Sequence, residues 1–147
     1  MNPFDLKQMI MEKHAQHVVL IHFPIALFIA GVALDFVAQW TKGEKLGYVA
    51  YVNLLLAAVM TLPVVATGLA AWQWALEGHR IRGILRLHIF FALASTAVIW
   101  IVWLIHFRAR RNGKTTFSNY RLVLEFVGVT LLAITGHLGG FLSGVNS

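Results

Sequence analysis

The sequence predicts an all-α integral membrane protein, an antiparallel four-helix bundle with a short N-terminal interfacial segment. Its 147 residues are 59% hydrophobic and 12% charged, with a mean hydropathy of +0.72, which is unlike an ordinary soluble domain. The charges are also segregated, since four long stretches contain no Asp, Glu, Lys or Arg. These uncharged stretches are residues 14–34, 46–76, 87–107 and 126–147.

Each uncharged stretch is long enough to cross a bilayer as a helix. A span needs about 20 apolar residues, each rising about 1.5 Å. A soluble bundle would need a charged outer face on every helix, and these stretches have none. Short links between successive helices favour an up-down-up-down arrangement. We therefore predict one domain over residues 1–147, with spans near 18–40, 47–76, 84–107 and 121–143.

The N-terminal residues precede the first span and mix apolar with charged side chains. Phe4 and Leu6 alternate with Asp5 and Lys7, which is typical of a helix lying along the membrane surface. We expect no secretory signal peptide, because acidic residues interrupt the region that should be basic. The lack of cysteine excludes disulfides, thiolate metal sites and covalent c-type haem attachment.

The distribution of Lys and Arg predicts the orientation of the bundle. We call the side on which the first span begins side A, and the opposite side is side B. Side A carries five Lys and Arg residues and side B carries seven. Because basic residues favour the cytoplasmic side, we predict that side B is cytoplasmic and both termini are extracytoplasmic. The high calculated pI then reflects this bias, and no nucleic-acid partner is expected.

Histidines are the most informative polar residues of this chain. The alternating direction of the spans brings five of the seven to side A, and imidazoles gathered at one depth suit a haem or a metal ion. An ionisable group inside a span is costly and marks a candidate functional site. The five histidines are His17, His22, His79, His88 and His137.

The five side A histidines differ in how well the residues alone support a ligand role. His88 and His137 lie inside spans at matched depth, so a ligand role is favoured over a structural one. His22 is followed by Pro24, which makes the backbone irregular there, and the ligand and interfacial interpretations are equally supported. His17 and His79 lie nearer water, so they form a second tier.

Two polar residues on side B are assigned no cofactor role. His106 ends the third span, and no other histidine on side B could complete a pair with it. We predict an interfacial position for His106. Asp35 is expected either to contact another helix or to extend toward side B, and proton uptake is the less favoured third alternative.

Three segments of the chain resemble a known family. They are HVVLIHFPIALFIAGVALD, residues 82–88 and GHLGG near the C-terminus. Over essentially its whole length the chain resembles the bacterial membrane family called domain of unknown function 2231. That family has four predicted spans and is similar to small b-type cytochromes in its intramembrane histidines. The resemblance matches His22 and His88 to family histidines, and His137 to a position that is histidine in some members.

Geometry within the predicted bundle favours one pairing of axial ligands. The first and third spans are diagonal if the order runs around the square, so His22 and His88 form the favoured pair and His137 is a third candidate. We expect one haem b, with two haems as the alternative. Guanidinium groups suit haem propionates near an interface, and the candidates are Arg80, Arg82 and Arg86.

Three functions remain compatible with these residues. The first is a b-type cytochrome subunit that carries electrons, with a quinol and an extracytoplasmic partner such as other redox subunits or a cytochrome c-like protein. The second is a histidine-rich copper or zinc protein, because imidazole binds these ions as well as iron. The third is a structural subunit of a larger membrane complex. The resemblance implies the bacterial inner membrane, where lipid is also a partner, and a transfer subunit is favoured over a self-contained enzyme.

Overall fold

A computed structural model describes residues 13–74, 80–113 and 119–143, and most of these residues are helical. Four helical segments are long and apolar enough to cross a membrane, which confirms the predicted fold class. The N-terminal segment up to residue 12 and His79 lie outside the described residues. The helices are α1 (Lys13–Leu20), α2 (His22–Thr41), α3 (Glu44–Trp74), α4 (Gly83–Arg111) and α5 (Asn119–Leu142).

The four long helices pack as two antiparallel hairpins. The most extensive contacts join α2 to α3 and α4 to α5, while α3 with α4 and α2 with α5 complete the square. The first and third spans therefore occupy one diagonal of the square. The short α1 packs against α3 and is separated from α2 only by Ile21, whose backbone is itself helical. Pro24 lies in the first turn of α2, and because it has no amide proton it cannot donate the helical hydrogen bond to the carbonyl oxygen of Leu20 in α1.

Buried residues recur along three of the spans with alternating spacings of four and three residues. This heptad-like spacing keeps one narrow face of each helix toward the bundle axis. The apolar core contains residues from all four spans, including Phe28, Leu54, Ile99 and Leu132. The buried series are Pro24, Phe28, Gly31, Asp35 and Ala38 in α2, Ser95, Ile99, Val102 and His106 in α4, and Arg121, Glu125, Gly128 and Leu132 in α5.

Two glycines allow the helices to approach closely. A Cβ atom on Gly128 would lie 2.7 Å from Cζ of Phe28, a side chain that is fully buried between α2 and α5. A Cβ atom on Gly31 would lie 3.0 Å from the side chain of Leu54 in α3. Both sites lie on the α2 side of the core, so small residues fix the distance from α2 to its two neighbours.

The bundle is packed more tightly toward side B than toward side A. In the second hairpin, residues 83–94 and 133–143 include no buried residue, although those segments face each other at side A. Outside the core the spans expose many large apolar side chains, such as Phe36, Phe90 and Phe126. Exposed apolar side chains on every span are what a lipid environment requires of a bundle.

Candidate functional site

His88 lies on α4 and contacts α5 through its ring. Its Nδ1 atom is 3.1 Å from the carbonyl oxygen of Thr135. A carbonyl oxygen can only accept, so Nδ1 carries the proton and donates it, which leaves the Nε2 lone pair as a potential ligand. A Cβ atom on Gly139 would lie 3.2 Å from Cε1 of this imidazole. The absence of a side chain at Gly139 therefore allows the half-buried ring of His88 to pack against α5.

His22 presents the same tautomer in a more exposed setting. Its Nδ1 atom is 2.8 Å from the carbonyl oxygen of Val18, one turn earlier in the chain. Because that oxygen only accepts, Nδ1 again carries the proton and the Nε2 lone pair remains. The hydrogen bond spans the junction of α1 and α2, so the local helix geometry fixes the direction of the imidazole.

His17 joins α1 to the side A end of α3. Its Nδ1 atom is 3.2 Å from Oγ1 of Thr67. The Thr67 hydroxyl proton is directed to the carbonyl oxygens of Pro63 and Val64, at 2.9 and 3.1 Å. The hydroxyl oxygen therefore accepts a hydrogen bond from Nδ1 of His17. A Cβ atom on Gly68 would lie 3.0 Å from Cε1 of His17, so this contact depends on glycine as well.

The other predicted side A residues are exposed where the structure describes them. His137 is exposed on α5, and its ring meets that of Phe141 edge-on at 5.0 Å between centroids. The three arginines predicted to bind propionates, Arg80, Arg82 and Arg86, are exposed at the start of α4 and just before it. A Cβ atom on Gly136, the residue after Thr135, would meet no atom within 4 Å, so α5 faces open space at this position.

A second group of polar side chains lies buried near side B, and the sequence analysis did not identify it. Nη2 of Arg121 donates to both carboxylate oxygens of Asp35 at 2.8 Å, and this bond joins α5 to α2. Nε2 of Gln39 donates to the same carboxylate at 2.6 Å. Asp35 is 2% exposed and Arg121 is 7% exposed. The predicted contact of Asp35 with another helix is thus present, and its partner is an arginine.

His106 and Glu125 complete this group, which we call the side B cluster (Asp35, His106, Arg121 and Glu125). Nε2 of His106 is 2.7 Å from Oε1 of Glu125, and Nε of Arg121 is 3.8 Å from the same oxygen. His106 is 4% exposed, so the predicted interfacial position is wrong. The prediction failed because it considered only how far His106 lies along the span and ignored which helix face it occupies.

Two buried atoms of the side B cluster, Oε2 of Glu125 and Nε of Arg121, make no hydrogen bond among the described residues. Glu125 is fully buried, and its Oε2 atom accepts no hydrogen bond there. A cavity of about 260 Å³ lies next to the cluster at the side B surface. Its lining consists of Ile105, Arg108, Ala109, Asn112, Tyr120 and Arg121.

Side chains of the types that can bind a metal ion are grouped differently at the two ends. Within the described ranges, one group of three such residues has ligand atoms within 4.8 Å of one another, and it is Asp35, His106 and Glu125. The described side A histidines form no such group of three. His22 and His88 each keep the Nε2 lone pair, because their Nδ1 atoms donate to backbone carbonyl oxygens.

Comparisons with known proteins agree with the membrane fold. A family model described as "Predicted membrane protein (DUF2231)" matches residues 13–145. No curated protein and no solved structure matches the chain.

Proposed function

The chain belongs to the DUF2231 family of predicted membrane proteins, and we propose that it is a membrane-embedded b-type cytochrome subunit that carries electrons. His22 and His88 would supply the axial imidazoles of one haem b, with His137 as the third candidate ligand. His17 and His79 would be supporting residues. The protein would be a transfer subunit that acts with a redox partner.

The observation that carries this proposal is the shared tautomer of His22 and His88. Both imidazoles donate their Nδ1 proton to a backbone carbonyl oxygen, and both keep Nε2 as the lone-pair atom. A metal-ligating histidine almost always donates its other ring N–H in this way, which fixes the tautomer and makes the ligand more basic. Neither bond depends on a side chain, so the backbone alone sets both ring directions.

Side A also has the features that a large planar cofactor needs. The second hairpin contains no buried residue in its side A half, and Gly136 faces open space. Arg80, Arg82 and Arg86 are exposed at the same end, where guanidinium groups would hold propionates in charge-assisted hydrogen bonds. A haem with two imidazole ligands supplies one-electron transfer and has no open iron position for a substrate.

The residues have separate tasks in this proposal. The carbonyl of Thr135 would hold His88 in place, and Gly139 would leave room for its ring. The carbonyl of Val18 would do the same for His22. Electrons would pass between a quinol and an extracytoplasmic partner on side A, in the bacterial inner membrane with both termini extracytoplasmic. Placing side B in the cytoplasm follows from the excess of Lys and Arg on that side.

An optical spectrum of the full chain, purified after expression with adequate haem, tests the proposal. We expect a Soret band and a reduced-minus-oxidised α band typical of bis-histidine haem b. His22→Gln and His88→Gln should each abolish that signature, because one imidazole cannot maintain the six-coordinate iron. His14→Gln is the matched control, since His14 precedes the span and belongs to no predicted pair. His137→Gln should leave the spectrum unchanged if His22 and His88 are the pair.

Two results would overturn the proposal. The first is a purified protein with the expected helical content and no Soret band. The second is a haem spectrum that survives both the His22 and His88 substitutions. Elemental analysis of the same samples would then show whether copper or zinc is bound. If neither metal is bound, the interpretation as a structural subunit remains. Cysteine labelling of an introduced residue at position 146, from each side of the membrane, tests the orientation independently.

A further inference from the structure

We propose that the side B cluster is a binding site for one proton, which is shared by His106 and Glu125 and exchanges with water on side B. This site is independent of the haem proposal, because it lies at the opposite end of the bundle. It uses none of the side A histidines.

Formal charge indicates that one proton belongs in the side B cluster. Asp35 and Glu125 each contribute −1, Arg121 contributes +1 and a neutral His106 contributes nothing, so the sum is −1. An uncompensated charge in a low-dielectric interior is very unfavourable. One added proton brings the sum to zero, and no other described charged side chain is buried with them. The proton arrives from water and forms an N–H bond on His106 or an O–H bond on Glu125.

The geometry assigns the proton to the pair of His106 and Glu125. Asp35 already accepts two hydrogen bonds from Arg121 and one from Gln39, so its negative charge is well compensated. Glu125 has only the distant Nε of Arg121 and the ring of His106 near Oε1, and Oε2 accepts nothing among the described residues. The separation of 2.7 Å between Nε2 and Oε1 is typical of a charge-assisted hydrogen bond.

The same arithmetic argues against a divalent metal ion, although three potential ligands are close together. A divalent ion would change the sum from −1 to +1, which only reverses the imbalance. It would also compete with Arg121 for the oxygens of Asp35, and both of those oxygens are bonded to the guanidinium. A proton neutralises the cluster and leaves every one of these bonds intact.

The surroundings of the pair restrict exchange to side B. Toward side A it is followed by the apolar core, in which Phe28, Ile99 and Val102 are almost fully buried. Toward side B, the cavity lined by Arg108, Tyr120 and Arg121 extends from the surface to one member of the cluster, Arg121. In this proposal, water in that cavity would exchange the proton with the pair past the Arg121 side chain.

Few other titratable groups face the pair. Asp35 faces it from α2 and Arg121 from α5. The one buried polar residue of α3 among its described positions is Thr61, which does not titrate. The tyrosines at the side B end of α3, Tyr48 and Tyr51, contact the guanidinium of Arg110, at 4.9 and 5.3 Å from their ring centroids.

The proposal can be tested on the full chain in lipid nanodiscs at neutral pH, with or without haem. Wild type must show one of two signatures: a ¹⁵N spectrum of a histidine protonated on both nitrogens, or an infrared carboxylic-acid band that shifts with ¹³C-labelled glutamate. Glu125→Gln should abolish whichever signature is present, because the cluster is then neutral without the proton. Glu44→Gln, which changes an exposed glutamate at the same end of the bundle, should leave it unchanged.

Each alternative outcome overturns the proposal. If neither signature is present in wild type, both groups are unprotonated and the one-proton site does not exist. If wild type contains a stoichiometric divalent metal that is lost in Glu125→Gln, the cluster is a metal site. Neither outcome concerns the Soret band, so failure here is distinguishable from failure of the haem proposal.

Access from side B is tested by filling the cavity. Ala109→Phe places a large ring in its lining and should slow hydrogen–deuterium exchange of the His106–Glu125 proton severalfold. Ala97→Phe is the matched control, because Ala97 is an exposed residue of the same helix outside the cavity lining. An unchanged exchange rate in Ala109→Phe would show that this cavity is not the route.

Discussion

Replacing Arg121 should destabilise the bundle much more than replacing Asp35. Asp35→Asn leaves Arg121 paired with Glu125, and Oε1 of Glu125 lies 3.8 Å from Nε of Arg121. The formal charge of the side B cluster is then zero without a bound proton. The remaining loss is one charged acceptor, for which we expect about 1.5–3 kcal/mol, the range for hydrogen bonds to charged groups. Arg121→Met removes the cation bonded to Asp35, so the cluster keeps a charge of −1 even with the proton bound to His106 and Glu125. We expect about 3–5 kcal/mol, the range for removing one partner of a buried ion pair.

Detergent-induced unfolding in mixed micelles, followed by circular dichroism, can measure these differences. Arg111→Met changes an exposed arginine at the end of α4 and should have little effect on the free energy of unfolding. The double variant Asp35→Asn/Arg121→Met should be more stable than Arg121→Met alone, because removing one carboxylate relieves the unpaired charge. Equal losses in the two single variants, or simple additivity in the double variant, would refute the charge-balance reasoning.

Two glycine substitutions provide further predictions. Gly128→Val should lower the free energy of unfolding by about 1–3 kcal/mol, because even the Cβ atom of the valine would lie 2.7 Å from the buried ring of Phe28. Detergent-induced unfolding measures this loss. A variant as stable as wild type would contradict the close packing of α2 and α5. Gly139→Val should displace His88 and lower haem occupancy in the optical spectrum, whereas Gly47→Ala, whose Cβ lies 3.9 Å from its nearest neighbour, should behave as wild type in both assays.

The four spans could be predicted from the sequence because the required information is local. Long stretches without charge have one stable solution in a bilayer, a helix that satisfies its own backbone hydrogen bonds. The structure extends the third of these helices to Arg111, beyond the predicted end near residue 107. Lys and Arg are good helix formers and can continue a helix past the membrane surface. The residue at which such a helix ends depends on the solvent exposure of its last turns, and composition alone does not determine that exposure.

The side B cluster could have been suspected from residue spacing. Asp35 lies seven residues after Phe28, and His106 lies seven residues after Ile99, so both share the face of a core residue. Glu125 lies seven residues before Leu132 in the same way. For His106, the distance along the helix gave only a depth near side B, where an interfacial position was the simpler expectation. The repeating interval of four and three residues assigns them instead to the bundle axis.

Composition and the order of the spans were enough to predict a four-helix membrane bundle with five of the seven histidines at side A. Both follow from apolar length and from the alternating direction of the spans. The ring nitrogen of His88 that stays available follows from helix packing, because the other ring nitrogen donates to the carbonyl oxygen of Thr135 on another helix. The tertiary structure also brought Asp35, His106, Arg121 and Glu125 together from three helices. Charges far apart in the chain acquire their partners only when the helices pack, since the rotation of each helix about its own axis sets which side chains meet.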